Sequence, residues 1–377
     1  MRKKSSGPVA PVAPVAPVRP VGTGVRAPGP AASGAAHGDW LTLGRDGRLS
    51  LYAPTDGGLL RWTENTPGGA DWTGPHLVPG AGLTHLTVVQ GADSYVHFLG
   101  RRERTGADGT RRVDVVHAIQ YQTGLAVTDW RSLGNPHPDR EQGLLLGPPV
   151  GAVAADGSVH VFARGAHGGL VLRREAPNGK WRAWEELQGA GISPWPAPVA
   201  LSGGRIEVCA DAETGVFVWR QLEAGGDFTG PRGFALRAAP GTVAGLETGP
   251  EQATFFWTDG DQGTAASWRA GGWPTPLGGS PAKRPYATLR TAIDGYDCLV
   301  LAHRDPDGHA VFGVGGAGDE GNGLWWYALT EPCEGTPALA RDGHGRVVMA
   351  LITPDGTPRL ARQEPGEGLT LGPWSTL

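Results

Sequence analysis

"NGKWRAWEELQG" (residues 178–189) places two tryptophans three residues apart in a stretch that otherwise has the composition of a surface turn. Degraded copies of this phrase recur along the chain. They are "ADWTGPHLV" (70–78), "TDWRSLGNP" (128–136), "GDFTGPRGF" (226–234), "GGWPTPLGG" (271–279), "GLWWYALTE" (323–331) and "LGPWSTL" (371–377). Recurrence at a spacing of roughly 40–50 residues is typical of repeat proteins. We therefore interpret the chain as several copies of one small unit.

Glycine spacing defines the body of that unit. Four segments align without gaps, and each holds two glycines eleven residues apart. These pairs are Gly47 and Gly58, Gly157 and Gly168, Gly204 and Gly215, and Gly345 and Gly356. Because glycine reaches positive φ without steric cost, the pairs predict tight turns. The residues between them alternate with period two, which predicts a strand. Its apolar face holds Leu49 and Leu51, Val159 and Val161, Ile206 and Val208, and Val347 and Met349.

Each full unit contains three short strands followed by the aromatic strand, and Gly157 and Gly204 set its length at 47 residues. Four strands in roughly 40–50 residues indicate a β-propeller blade. The sequence therefore predicts an all-β, seven-bladed β-propeller of four-stranded blades over residues 38–377. Indole rings offer the large flat area that stacked blades bury, so the recurring tryptophans are expected between blades, with a ligand groove as the alternative. Trp181 and Trp184 are expected to face different neighbours, since residues three apart in a strand point to opposite faces.

Residues 1–37 have a different composition, with five basic residues, no acidic residue, and proline at positions 8, 11, 14, 17 and 20. Proline at every third position interrupts the apolar segment that a secretory signal needs and fits the polyproline II period. We interpret residues 1–37 as a disordered, basic, Pro/Val/Ala-rich arm. The alternative is a docking arm for an acidic surface or for a proline-recognising partner. Without a recognisable signal peptide the default expectation is a cytoplasmic protein, with non-classical export as the alternative.

Charge and hydropathy exclude two classes of partner. The whole chain carries a net charge of −4 and the arm carries +5, which leaves −9 on residues 38–377. Nucleic-acid binding depends on basic residues that release counterions, so an acidic body predicts no nucleic-acid partner. No apolar run approaches the ~18 residues of a membrane span. We interpret the arginine-rich segment 101–112 as a solvated hairpin loop, with an anionic partner as the alternative.

Motifs of catalysis and metal binding are weak. The three cysteines match no zinc or redox spacing, and Cys209, inside a strand-like run, is expected to be a buried thiol. "GVGGAG" (313–318) has a dinucleotide-binding spacing but no helix after it. Asp259 and Asp261 could hold calcium, but ordinary turn chemistry explains them better. The sequence thus predicts no catalytic residue, no metal and no cofactor, and a glycosidase with paired carboxylates remains the alternative.

One blade carries a resemblance to a known family. The segment "SVHVFARGAHGGLVLRREAPNGKWRAWEELQG" (158–189) resembles the repeat of the PLL-like β-propellers, the fucose-binding lectins first met in Photorhabdus. Matching residues are Val161, Phe162, Ala163, Arg164, Gly165, Trp181, Trp184, Leu187 and Gly189, with Gln188 in place of the first terminal glycine. The resemblance is sharp in this blade and loose elsewhere. It implies a seven-bladed ring and carbohydrate binding.

The resemblance also implies where sugars would bind. In such lectins a sugar lies in a groove between blades, on an aromatic face with polar neighbours. Candidate ligand-binding residues are His160, Arg164, Trp181, Trp184, Trp195 and Trp219. A satisfied inter-blade histidine and a solvated strand-end charge are the alternatives for the first two. The expected ligands are glycans, including fucosylated or O-methylated sugars. The alternative function is a protein–protein interaction scaffold that uses one propeller face, with the arm as a tether.

Overall fold

A computed structural model describes residues 30–377 as seven antiparallel sheets, one per blade, which confirms the seven-bladed β-propeller. The predicted arm lies outside the described residues up to position 29. The four antiparallel strands of each blade follow one another in chain order and come from one continuous segment, and the sheet of blade 2 has a fifth strand from residues that precede blade 1. At six of the seven seams the first strands of neighbouring blades contact one another, including the seam between blades 7 and 1, which closes the ring. Between blades 1 and 2, the second strand of blade 1 contacts the first strand of blade 2.

The strands are short and evenly distributed. An additional two-residue strand, β1 (His37–Gly38), pairs in parallel with the first strand of blade 2. Blades 1 to 3 contain β2 (Leu41–Leu43), β3 (Leu49–Thr55), β4 (Gly58–Glu64) and β5 (Trp72–Pro79); β6 (Leu83–Gln90), β7 (Val96–Thr105), β8 (Arg111–Gln120) and β9 (Arg131–Gly134); and β10 (Val150–Val153), β11 (Val159–Arg164), β12 (Leu170–Arg174) and β13 (Glu185–Glu186).

Blades 4 to 7 repeat the pattern. They contain β14 (Ala197–Ala200), β15 (Ile206–Ala212), β16 (Gly215–Gln221) and β17 (Phe228–Phe234); β18 (Ala244–Gly249), β19 (Gln252–Thr258), β20 (Ala265–Arg269) and β21 (Thr275–Gly278); β22 (Ala287–Ile293), β23 (Tyr296–Arg304), β24 (His309–Gly316) and β25 (Trp325–Pro332); and β26 (Ala338–Arg341), β27 (Val347–Ile352), β28 (Pro358–Arg362) and β29 (Ser375–Thr376). A short helix α1 (Arg140–Leu144) and a 3-10 turn (Glu320–Asn322) complete the described chain, in which no helix has the length and apolarity of a membrane span.

The predicted glycine turns are confirmed. In blade 3, Gly157 has a φ of 84° before β11 and Gly168 has a φ of 77° between β11 and β12. The other six glycines of the four pairs also have positive φ. Only glycine adopts this backbone region without strain, so the spacing of these glycines sets the length of each hairpin.

The second strand of a blade is buried on both faces. In β11, Val159, His160, Val161 and Phe162 are each at most 1% exposed. Sheets in a propeller stack face to face around the ring, so a central strand has a neighbouring blade on either side. Alternate side chains of this strand therefore face the two flanking blades, rather than the protein core on one side and solvent on the other.

The prediction that recurring tryptophans pack between blades is confirmed for Trp130, Trp184 and Trp326, and it is wrong for Trp273, which is 90% exposed. Four indole N–H groups donate to backbone carbonyls of the preceding blade. The pairs are Trp130 to Pro79 at 2.9 Å, Trp184 to Leu133 at 2.9 Å, Trp219 to Leu187 at 2.8 Å and Trp326 to Leu277 at 2.7 Å. Each bond joins two successive blades, so the tryptophans act as inter-blade ties.

The glycines that follow the acceptor leucines make room for these rings. A Cβ on Gly279 would lie 3.0 Å from the Trp326 indole of the next blade. A Cβ on Gly189 would lie 2.9 Å from Trp219. The terminal glycine of one blade thus packs against a tryptophan ring of the next blade.

Trp181 and Trp184 do not face different neighbours, so that prediction was wrong. Trp181 packs edge-on against His117 of blade 2 at a ring distance of 5.4 Å, and Trp184 donates to Leu133, also in blade 2. The chain between them is not a strand. Without a regular extended backbone, the alternation of side chains does not apply.

Within residues 30–377, no strand is shared between the sheets of blades 7 and 1. Across the seam between blades 7 and 1, Arg362 donates to the buried carboxylate of Glu64 at 2.6 Å. Residues 31–38, which we name the N-terminal strap, cross this seam: Ala32 N–H donates to Gly356 in blade 7, and Ser33 N–H donates to Pro54 in blade 1. Because the strap is packed against the blades, the packed part of the chain begins before residue 38.

Candidate functional site

The six predicted ligand-binding residues do not meet in one place. His160 lies between blades 3 and 4, 1% exposed, with rings of Phe162 and Phe228 at 6.5 and 6.4 Å. Burial lowers the pKa of His160 to about 4, so the imidazole is neutral at physiological pH. It occupies the position of an inter-blade histidine.

Three of the predicted tryptophans are inter-blade ties or their neighbours. Trp181 and Trp184 contact blade 2, whereas Trp219 contacts blade 3. Arg164 is half-buried at the end of β11, where its carbonyl accepts the Gly147 N–H at 2.9 Å. These four residues lie at two different seams.

Trp195 has a different environment. It precedes the first strand of blade 4 and lines the central channel. Its indole stacks on the imidazole of His37 at 4.5 Å, and His85 approaches it edge-on at 5.8 Å. His37 belongs to the N-terminal strap, so the strap supplies part of the channel wall.

A groove between blades 1 and 2 has the composition expected of a sugar site. Its volume is about 370 Å³, and it is lined by the connection Pro79–Leu83, by residues 102–104 of β7 and by Trp130. The Trp130 N–H is held by the Pro79 carbonyl, which fixes the ring in the groove wall. An oriented aromatic ring beside several polar groups is the usual composition of a small-molecule site.

The charged groups of this groove form a local network. Arg102 and Arg104 lie 3.5 and 3.7 Å from the Asp114 carboxylate, and Glu103 pairs with Arg111 at 2.5 Å. The Arg104 side chain is 57% exposed. Arg102 and Arg104 therefore share one carboxylate beside the groove, whereas Glu103, which lies between them in β7, pairs with Arg101 and Arg111.

The arginine-rich segment 101–112 is largely paired within the chain. It forms the ends of β7 and β8 and the turn between them. Arg101 donates to the carbonyls of Leu146 and Leu144 at 3.0 and 3.1 Å. Three of the other four arginines form ion pairs with Asp114 or Glu103. Sequence reasoning missed that its first residues border an inter-blade groove, because hairpin register decides which of them point there.

No group of three His, Cys, Asp or Glu side chains between residues 30 and 377 is arranged to hold a metal ion. Cys209 is buried, as predicted, and burial raises the pKa of its thiol. Asp259 caps its own turn by accepting the N–H groups of Asp261 and Gln262 at 2.9 and 2.7 Å. The Asp259 carboxylate therefore stabilises its own turn.

Comparison with known proteins supports the fold. No family model and no curated protein matches the sequence. Among solved structures, the BP39L lectin from Burkholderia pseudomallei is 16% identical over 90% of this chain and 97% of its own, with a TM-score of 0.64. AofleA from Arthrobotrys oligospora is 11% identical over 80% of this chain and 87% of its own, with a TM-score of 0.54. An ulvan lyase of a polysaccharide lyase family is 12% identical over 91% and 96%, with a TM-score of 0.54.

These similarities establish the propeller architecture and no more. The neighbours include a lectin and an enzyme that cleaves polysaccharide, and one fold can host both activities. The choice between them has to come from the site itself.

Proposed function

We propose that this chain is a non-catalytic carbohydrate-binding protein, and that the groove between blades 1 and 2 is a sugar site. The observation that carries the proposal is the fixed Trp130 ring beside Arg102, Glu103 and Arg104 in one groove. A sugar presents an apolar C–H face and a rim of hydroxyls. The Trp130 ring is suited to pack against the apolar C–H face, and the charged side chains are suited to hydrogen-bond with the hydroxyls.

Support also comes from the exposure of the polar groups. Arg104 makes only a long contact with Asp114, at 3.7 Å, and more than half of its side chain is exposed. A sugar hydroxyl could therefore accept a hydrogen bond from the Arg104 guanidinium. Charge-assisted hydrogen bonds of this kind are the stronger ones in protein–ligand contacts.

The test is a glycan array with the full chain, followed by calorimetric titration with fucosides and O-methylated sugars. Arg104→Ala is expected to weaken binding about tenfold by removing one charge-assisted bond. Arg237→Ala is the matched control, because Arg237 is also an exposed arginine that contacts a single carboxylate, that of Asp261 at 3.4 Å, and it does not line the groove. A flat response at millimolar sugar, or equal losses in both variants, would refute the proposal.

A protein-interaction scaffold is the second candidate, and exposed aromatic residues of blades 5 and 6 favour it. Trp273 is 90% exposed, Trp325 is 68% exposed and Tyr327 is 48% exposed. Large exposed aromatic groups are common at protein interfaces. In this case Trp325→Ser should abolish capture of a specific partner, and loss of residues 1–29 should weaken it if the arm is a tether. A lectin would keep its glycan binding after either change.

A further inference from the structure

The N-terminal strap borders the central channel, a cavity of about 590 Å³, with five of its eight residues. Its backbone N–H groups donate to the carbonyls of Gly356 in blade 7 and Pro54 in blade 1, at 3.2 and 2.8 Å. Its last two residues pair with β6 of blade 2, and its His37 ring stacks on Trp195, which precedes β14 of blade 4. One short segment therefore contacts four of the seven blades.

The end of the strap binds blade 2 as an added strand. β1 pairs in parallel with β6, with His37 opposite Thr87, and the N–H of Asp39 donates to the Val88 carbonyl at 2.8 Å. Among the sheets built from residues 30–377, only that of blade 2 carries a fifth strand. Addition of an extended segment to a sheet edge is a recurrent way in which proteins bind peptides. The strap is thus bound in the manner of a peptide ligand.

The ring is shaped around the small side chains of the strap. A Cβ on Gly335, in the connection between blades 6 and 7, would lie 2.9 Å from the Ala35 Cβ. Ala32 and Ala36 are 8% and 6% exposed, and they pack in an apolar cluster with residues of blades 1, 2 and 7. Larger side chains at these three positions would require the surrounding blades to move. The site therefore selects alanine-sized residues there.

Two positions at the end of the strap add selectivity. The His37 imidazole lies on the Trp195 indole with the ring centres 4.5 Å apart and an angle of 29° between the planes, a contact that a flat ring can make. Gly38 has a φ of 77°, and a Cβ on it would collide with the Val88 carbonyl oxygen. An extended ligand for this site therefore needs alanine-sized residues followed by a flat ring and a glycine.

The strap makes few large apolar contacts of its own. Apart from His37, its residues are alanine, serine and glycine. The next large apolar residue, Trp40, is 1% exposed and packs among the buried residues of blade 1. Segments with few buried apolar contacts open at a lower free energy than central strands do. The strap is therefore the part of this region that can detach while the blades stay folded.

We propose that the channel wall formed by blades 7, 1, 2 and 4 is a binding site for an extended peptide, and that the strap occupies it as an internal ligand. The ligand class is a segment of small residues followed by histidine and glycine. Docking of the strap covers Trp195 and ties blade 7 to blade 1, whereas its release uncovers the Trp195 ring and the edge of β6. The site does not depend on the proposed sugar groove, because the strap, Gly335 and Trp195 do not line that groove.

The test uses a fluorescent peptide of residues 30–39 (PAASGAAHGD) and the full chain with the substitution Gly38→Val. The added Cβ meets the Val88 carbonyl, so the linked strap loses its pairing with β6 and the site becomes vacant. The peptide is expected to bind this variant with a dissociation constant below about 1 mM, measured by fluorescence anisotropy. The wild-type chain is expected to bind no peptide, because a linked segment has an effective concentration of roughly millimolar or more.

Matched controls exist for both partners. Gly109→Val is the control chain, because Gly109 has a similar φ of 75°, lies in the exposed turn between β7 and β8, and has open space around it; it should bind no peptide. In the peptide, His37→Ala should weaken binding about tenfold by removing the stacked ring. Ser33→Ala in the peptide changes an exposed side chain and should leave binding unchanged.

Two results would overturn the proposal. One is no binding to Gly38→Val at about 1 mM peptide when the circular dichroism of the variant matches the wild type. The other is equal binding of the wild-type and His37→Ala peptides, or equal binding to the two chain variants. If Gly38→Val does not fold, hydrogen exchange of the wild-type chain decides. The Asp39 N–H should then exchange at least about tenfold faster than the amides of the central strand β7, and equal protection overturns the proposal.

Discussion

The inter-blade ties can be tested with two tryptophans from equivalent phrases in adjacent blades. Trp326 donates to Leu277 across the seam between blades 5 and 6, whereas Trp273 is 90% exposed. Trp326→Phe removes the N–H group and leaves the ring space beside Gly279 partly empty. Trp273→Phe changes a ring that is mostly in water.

The expected cost of Trp326→Phe follows from these contacts. Loss of a half-buried hydrogen bond costs about 0.5–1.5 kcal/mol, and the unfilled space costs about 1–2 kcal/mol more. The unfolding entropy is about 2.1 cal/mol/K per residue, so 1 kcal/mol corresponds to roughly 1.3 °C for a chain of 377 residues. The melting temperature should therefore fall by about 2–4 °C.

Thermal unfolding followed by circular dichroism would measure both variants against the wild type. Trp273→Phe should change the free energy of unfolding by no more than about 0.5 kcal/mol, as for most surface substitutions. The reasoning fails if Trp326→Phe melts within the error of the wild type. It also fails if Trp273→Phe loses as much stability as Trp326→Phe.

Two further predictions concern stability. Gly189→Ala should cost about 2–3 kcal/mol in urea unfolding, because its φ is 93° and its Cβ would lie 2.9 Å from Trp219; Gly191→Ala, with a φ of 63° and open space around it, should cost only the backbone strain. The Nδ1 atom of buried His97 lies 3.0 Å from Nε2 of buried His117, and burial lowers their pKa values to about 4 and about 3. The unfolded chain takes up these protons below about pH 6.5, so stability should be complete above that pH and fall towards pH 4 by on the order of 3 kcal/mol for each ring. Urea midpoints at pH 7 and pH 4.5 check the sign, and an unchanged midpoint contradicts it.

The repeat architecture could be predicted from the sequence because glycine and tryptophan recur in every well-preserved copy of the unit. Glycines such as Gly157 and Gly168 have a backbone requirement that no other residue meets well, so their spacing reports the hairpin length directly. A further marker was missed. A Glu or Gln at the end of the third strand accepts the first N–H of the second strand, and this occurs at Glu64 to Leu49, Gln221 to Ile206 and Gln363 to Val347.

The positions of the sites were less accessible, because they depend on contacts between distant segments. His160 was a candidate ligand-binding residue with an inter-blade histidine as the alternative, and packing of blade 4 against blade 3 buries it. Trp195 was predicted to line an inter-blade groove, and it lies instead in the central channel because the strap brings His37 against it. Neither the path of the strap nor the groove beside Trp130 follows from periodicity.

The construction of each blade from one uninterrupted segment has an evolutionary consequence. A duplication or deletion of a single stretch of coding sequence adds or removes a whole sheet without leaving half of one behind. New termini could likewise be opened between any two sheets, with every hairpin left intact, provided that the strap still reaches the seam that it covers. Ancestors with fewer or more sheets, and permuted relatives, are therefore within reach of single genetic events.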